Sequence, residues 1–191
     1  MIRLSTFKSA ITNAINQMDD IKVQLEQLAI PSSPSYKLEF HTNEVTEKKI
    51  TELVKKLPSD SDLEIDYIYL FKVSGENKNI SRIKQKFKTE KKRQQNTEGE
   101  KKDLCRINDC DSKQYFYVGR SQSIKSRIRQ HLSHKYKGTY ALHMERWCRE
   151  LDHDVEVLIY EFEGKNNMVI QAIEDALWDR LNPCFGRKGD K

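Results

Sequence analysis

The apolar positions near the start of the chain recur at helical spacing. Phe7, Ile11, Ala14, Ile15, Met18, Ile21, Leu25 and Leu28 stand in steps of three and four, which lays them along one stripe of an amphipathic helix. Ser5 is placed to cap its start, and Pro31 and Pro34 close its end. From Thr46 to Leu57 the period returns with Ile50, Leu53, Val54 and Leu57, stopped by Pro58. The pattern predicts two helices over residues 1–60, joined by a loop rich in proline and serine.

Beyond residue 60 the pattern changes character. Asp66 to Val73 is dense in aromatic and β-branched residues and reads as a strand, broken by Gly75 and Asn77. Ile80, Ile83 and Phe87 give a weak helical face inside a lysine-rich run, and Thr97 to Lys102 is polar throughout. Gln114 to Gly119 reads as a second strand. Ser121 or Ser123 can cap a helix carrying Ile124, Ile128 and Leu132, and a further helix is expected from Thr139 to Leu151, anchored by Leu142 and Trp147. Val155 to Phe162 is a third strand, apolar on both faces in its second half and therefore central. Asn166 or Asn167 caps a last helix ending near Leu181, before Pro183. Three short strands among helices predict a small α+β domain.

Composition narrows the class. The 191 residues are 37 % hydrophobic and 33 % charged, enough for one domain with a small core. No apolar run is long enough for a membrane span, and the first residues lack the apolar stretch of a secretory signal. The expectation is a cytoplasmic chain with no membrane contact, whose Cys105, Cys110, Cys148 and Cys184 are reduced thiols. The net charge of +5 is modest, but its distribution is not. Lys78 to Arg93 holds eight basic residues against Glu90 alone, and Arg120 to Lys137 holds six and no acid. Two basic segments on an otherwise acidic chain suggest a polyanion partner, although lysine-rich stretches also serve as solvated surface.

Two helices carry the candidate chemistry. Arg127 and His131 are i, i+4 neighbours on one flank of the stripe formed by Ile124, Ile128 and Leu132. On the last helix Glu174 falls between Leu181 and Trp178, at the edge of the apolar face or inside it. A carboxylate there needs a cation, a metal or strong donors. An ion pair with a residue such as Arg127 satisfies it as well as a functional role does. Phosphate-binding glycine loops, the serine-nucleophile elbow and the paired-histidine zinc motif are all missing from the sequence.

These pieces together resemble the GIY-YIG nuclease superfamily. Tyr67-Ile68-Tyr69 stands where the family's first motif would be, and Tyr117-Val118-Gly119 where the second would be. Arg127 follows Tyr117 by ten residues and His131 by four more, matching the family's catalytic arginine and its frequent histidine partner. Tyr140 stands where some members carry another polar side chain at the phosphate, and Glu174 matches the metal-binding glutamate. Departures are Tyr67 in place of glycine, some forty residues between the two motifs, and Gly186 where an asparagine is common.

The resemblance implies a three-stranded antiparallel sheet flanked by helices. It divides the chain into an N-terminal helical extension over 1–62 and a nuclease domain over 63–191, with a basic insertion at about 75–113. It implies a metal-dependent DNA endonuclease, with restriction-type action as the leading specific reading. Tyr69, Tyr117, Arg127, His131 and Glu174 would be catalytic, and Glu174 would hold Mg²⁺ or Mn²⁺. Tyr140, Arg120, Arg129, Lys84 and Lys88 would contact duplex DNA. The N-terminal helices could pair two protomers into a homodimer or cover the sheet. The competing reading is a catalytically inactive nucleic-acid-binding protein of the same fold.

Overall fold

A computed structural model of the chain describes residues 4–61, 64–75, 80–110, 112–136 and 138–189. Asn77, expected to break a strand, and Lys78 and Lys137, counted in the basic segments, lie outside the described residues. The elements run α1 (Leu4–Glu26), β1 (Tyr36–His41), α2 (Glu47–Val54), β2 (Ile65–Ser74), α3 (Ile80–Asn96), β3 (Tyr115–Ser121), α4 (Ile124–Leu132), β4 (Asp154–Glu163) and α5 (Asn167–Leu181).

The sheet has four strands, in the order β1-β4-β2-β3, where the sequence pattern predicts three. All neighbours are antiparallel, and β4 and β2 are central. The additional strand, β1, lies in the segment expected to be a loop. Its burial alternates, with Leu38 and Phe40 inward and Lys37 and Glu39 exposed. That is the period of a strand with one wet face, and pairing with β4 supplies the backbone partners the loop reading left out.

The segment Thr139 to Leu151 is the second correction. It contains only a single 3₁₀ turn, Met144–Arg146, instead of a helix. Ala141 bridges to Leu104, and His143 sits in the left-handed region at φ 47°, which ends any helical run. Leu142 and Trp147 are nonetheless buried anchors, and the Trp147 indole donates to the Leu142 carbonyl at 2.8 Å.

Each face of the sheet has its own core. Tyr69, Phe71, Tyr117, Val157 and Ile159 belong to the larger cluster, together with α2, α3 and α4. Ile68, Phe162 and Ile170 form a smaller one, against which Leu28, Ile173 and Leu177 pack. The start of α4 is capped from a distance. Ser123 makes no side-chain cap; Asp60 accepts from the backbone N–H groups of Lys125 and Ser126, both at 2.9 Å.

Cys110 and Cys184 form a disulfide, which overturns the expectation of four free thiols; Cys105 and Cys148 are free and buried. The backbone brings the bonded pair together, through a bridge between Ile107 and Phe185 and a 2.8 Å bond from Asn108 N–H to the Cys184 carbonyl. No helix among the described residues is long and apolar enough to cross a membrane.

Candidate active site

The register of β2 against β3 sets Tyr69 opposite Gly119 and Phe71 opposite Tyr117. Alternation then puts Tyr69 and Tyr117 on one face, where their rings stack with centroids 6.0 Å apart and planes within 11°. Gly119 makes the stack possible. A Cβ there would lie 2.6 Å from Tyr69 Oη and 2.8 Å from the Tyr117 ring.

One flank of α4 brings Arg127, in its first turn, and His131, in its last, to these phenols. Arg127 Nε donates to Tyr69 Oη at 3.1 Å, and Arg127 Nη2 reaches Tyr117 Oη at 3.4 Å and the Tyr140 carbonyl at 3.3 Å. His131 is fully buried, with Nε2 3.0 Å from Tyr69 Oη. Its other nitrogen, Nδ1, accepts the Leu142 N–H at 3.3 Å. Nδ1 therefore carries no proton, and Nε2–H is the donor to Tyr69. Tyr69 Oη thus receives two hydrogen bonds while its own proton stays available.

Burial sets the electrostatics. It pushes the Tyr69 phenol above its usual value, against the pull of the Arg127 guanidinium. Tyr117 rises further, through burial and the neighbouring Tyr69. The same burial, reinforced by Arg127, holds His131 well below its ordinary value, so the imidazole is neutral at pH 7. Arg127 stays charged: burial opposes its charge, but the two phenols outweigh it.

On the other face of the sheet, α5 carries Glu174, which is only 8 % exposed. Its carboxylate lies 3.4 Å from Arg120 Nε and accepts from Gln171 Nε2 at 3.4 Å. Arg120 also donates to the Asn167 amide oxygen. Although α5 and the phenols belong to opposite faces, Tyr69, Tyr117, Arg127, Arg120 and Glu174 line one cleft of about 730 Å³. The cleft crosses β3 at the side-chain-free Gly119, another of its lining residues. Arginines and lysines predominate in its wall, with Lys91, Arg106, Arg120, Arg127 and Arg187 against Asp66 and Glu174.

Residues 106–188 match the family model of the GIY-YIG catalytic domain. That segment of the chain is a GIY-YIG catalytic domain by this match. Comparison with curated proteins and with solved structures finds no match. The family points to a nuclease acting on nucleic acid. The matched segment holds β3, α4, β4 and α5, and hence Tyr117, Arg127, His131 and Glu174. Tyr69 lies outside it, and enters the GIY-YIG cleft through the pairing of β2 with β3.

Other residues singled out in the sequence scatter. Tyr140 lines the cleft and is 62 % exposed. Arg129 points away, 4.0 Å from Glu47 on α2. Lys84 and Lys88 line a second groove of about 1240 Å³, with Lys113, Arg180, Gln85, Gln114 and Asn182 and, among the described residues, no carboxylate. Other cations of the lysine run are engaged in the fold. Lys86 pairs with Glu150, Arg93 with Glu90 and Glu100, and Lys91 donates to the Leu104 and Cys105 carbonyls.

Sequence reasoning missed Asn167, Gln171, Arg106 and Arg187 in the GIY-YIG cleft. Asn167 and Gln171 stood in plain view, because steps of four and three lead from them to Glu174 along one helix stripe. Arg187 had no periodic signal; its guanidinium carbon lies 6.0 Å from the centre of the Tyr140 ring. Gly186 explains its own departure from asparagine. It has φ +102°, and a Cβ there would lie 3.0 Å from the Tyr117 ring.

A divalent ion is compatible with the donors present. The described residues contain no group of three or more acidic, histidine or cysteine side chains able to cage a metal. Glu174, nearly buried in the cleft wall, is instead the donor set of an Mg²⁺ held by one carboxylate, waters and substrate phosphate.

Proposed function

We propose that the chain is a metal-dependent DNA endonuclease that hydrolyses phosphodiester bonds at this cleft. One observation carries the reading. Two phenols, a guanidinium and a carboxylate, delivered by β2, β3, α4 and α5, line a single cleft rich in arginine.

Arg127 is the phosphate ligand. Its longest hydrogen bonds, at 3.3 and 3.4 Å, can be exchanged for a non-bridging phosphate oxygen, and its charge then meets the charge that builds up in the transition state. Tyr117 is the phenol nearer solvent, 6 % exposed against none for Tyr69. In its ionised form it accepts the proton of the attacking water and becomes the neutral phenol. Tyr69, held by His131 and Arg127, keeps the stack and the guanidinium in place. Glu174 would hold Mg²⁺ or Mn²⁺, which supplies Lewis-acid stabilisation of the leaving oxygen when bound. Arg120 and Tyr140 contact the substrate beside the scissile phosphate. Asn167 and Gln171 offer the amide groups that Gly186 cannot.

Duplex DNA continues from the cleft into the second groove. Arg106 and Arg187 belong both to the cleft and to a depression that also includes Asp109, and Asp109 lies 4.0 Å from Lys84. Phosphates along that path meet Lys84, Lys88 and Lys113. Restriction-type action is the finer form of the proposal.

The test is incubation of long duplex DNA with the purified chain and Mg²⁺. Cleavage is expected, with discrete bands for sequence-specific action and a smear for non-specific action. Glu174→Gln and Arg127→Ala should each lower the rate by at least about a hundredfold with the fold intact. Cleavage at the wild-type rate by either variant would overturn the assignment. Binding without cleavage by the wild-type chain would establish the inactive nucleic-acid-binding reading instead.

A further inference from the structure

We propose that Lys91, on helix α3, completes a second phosphate seat in the cleft with Arg106 and Arg187, and that this seat takes a backbone phosphate next to the one held by Arg127. The proposal rests on the nuclease reading. It adds a substrate contact from outside the family-matched segment, since α3 ends at Asn96 and the match begins at residue 106.

An ammonium drawn out of water needs a countercharge. Lys91 is half-buried in the cleft wall. Its Nζ donates to the Leu104 carbonyl at 3.0 Å and to the Cys105 carbonyl. Two carbonyls satisfy two of its three N–H groups, leave the third for a ligand, and leave the charge unmatched. The Cys105 thiol is no counter-ion, because burial pushes it up to about 12 and keeps it neutral at pH 7. Burial lowers the pKa of Lys91, and the charge of Arg187 adds to that. Among the described residues no carboxylate pairs with Lys91, Arg106 or Arg187.

The backbone gathers the three cations into one corner. Lys91 grips the carbonyls of residues 104 and 105, and Arg106 is the next residue. The Arg106 carbonyl accepts from Gly186 N–H at 3.0 Å, which sets Arg187 beside it. Both arginines are exposed and line the cleft. A phosphodiester has two non-bridging oxygens, and these can accept from an ammonium and a guanidinium fork at once. Arg127 serves a separate seat, because its guanidinium is tied to the two phenols. The charges of Lys91 and Arg127 both act on the Cys105 thiol, so the two seats adjoin.

Binding titrations of long duplex DNA across a salt series, without divalent ions so that nothing is cut, test the seat. Lys91→Gln keeps N–H donors for the two carbonyls and removes the charge. It should flatten the dependence of log binding constant on log salt by about 0.9. Lys91→Arg keeps the charge and should keep the wild-type slope. Lys91→Gln combined with Arg127→Ala should flatten the slope by about 1.8, one step for each of two phosphates. An unchanged slope in Lys91→Gln would leave Lys91 a strut for residues 104 and 105 and overturn the proposal. Equal flattening by the Gln and Arg variants, or a double variant no flatter than Arg127→Ala alone, would overturn it too. A wild-type chain that binds no DNA would overturn the nuclease reading, and the seat with it. Binding and Mg²⁺-dependent cleavage by the wild type, with the slope of Lys91→Gln unaltered, would remove the seat alone.

Discussion

Tyr69 and His131, on the strand-pair side of the cleft, expose nothing, and Tyr117 exposes 6 %. Their rings touch one another, and Arg127 ties both phenols together. The α5 side is built differently. Glu174 lies 3.4 Å from both Arg120 and Gln171, and Asn167 is exposed at the mouth. A dry wall fixes geometry and forces its titratable groups toward their neutral forms. The α5 wall sets its carboxylate beside a guanidinium and carries amide groups out to the mouth, next to room for an ion and a phosphate. Both kinds of wall are needed where a phosphodiester must be held rigidly on one side and have its charge met on the other.

The comparison breaks most completely at Gly119, where the missing side chain holds the dry wall together. Gly119→Ala would drive a methyl to within 2.6 Å of Tyr69 Oη and 2.8 Å of the Tyr117 ring. Overpacking of this kind costs about 1–3 kcal/mol of stability. Displacing the phenols by a fraction of an ångström to an ångström should lower cleavage about a hundredfold. Single-turnover rates alongside urea denaturation measure both effects. A variant that keeps the wild-type rate would show that the stack is not part of the catalytic geometry.

The dry wall was also the part most legible in the sequence. Tyr69 and Tyr117 sit in dense aromatic runs whose period declares strands, and the ten-residue and four-residue steps to Arg127 and His131 survive into the structure as contacts. The family match begins at residue 106, so Tyr69 is reached only through strand pairing, yet the strand was readable on its own. What stayed hidden depends on distant partners. β1 carries the alternation Leu38-Glu39-Phe40, but it stands beside prolines and needs β4 to become a strand. The residues 139–151 look helical until Ala141 finds Leu104. The cap of α4 comes from Asp60 rather than a neighbouring serine, and the Cys110–Cys184 bond spans 74 residues. Local pattern carries none of these.

A smaller, pH-dependent effect sharpens the comparison. Burial holds the His131 pKa well below its ordinary value, so the unfolded chain takes up this proton before the folded one does. The His131 contribution to stability is therefore complete above about pH 6.5 and is lost as the pH falls toward the depressed folded value, at up to about 1.4 kcal/mol per pH unit. Urea denaturation at pH 7, 6 and 5 should show this slope in the wild type and a shallower one in His131→Gln. Cleavage should respond at the other end of the scale. Both phenols lie above their ordinary value, so the ionised fraction, and with it the rate, grows as the pH rises from neutral into the alkaline range. Equal urea slopes in the two proteins would mean that His131 is not the neutral, buried donor its contacts describe.

The α5 side reaches further than the cleft, and its outermost part should have the mildest effect. Lys84 and Lys88 line the second groove, Lys84 meeting an acid only at 4.0 Å (Asp109), whereas Lys86 and Arg93 on the same helix are closely paired with acids. Neutralising the first pair, Lys84→Gln with Lys88→Gln, should therefore weaken DNA binding, while Lys86→Gln should leave it unchanged. Each phosphate left without its lysine should flatten the dependence of log binding constant on log salt by about 0.9, so the double variant should flatten it by about 1.8. Binding titrations of long duplex DNA across a salt series, in Ca²⁺ to suppress cleavage, read the slope directly. A slope altered equally by Lys86→Gln would mean that the helix acts through its overall charge, and that the groove at Lys84 and Lys88 is not the path the backbone follows.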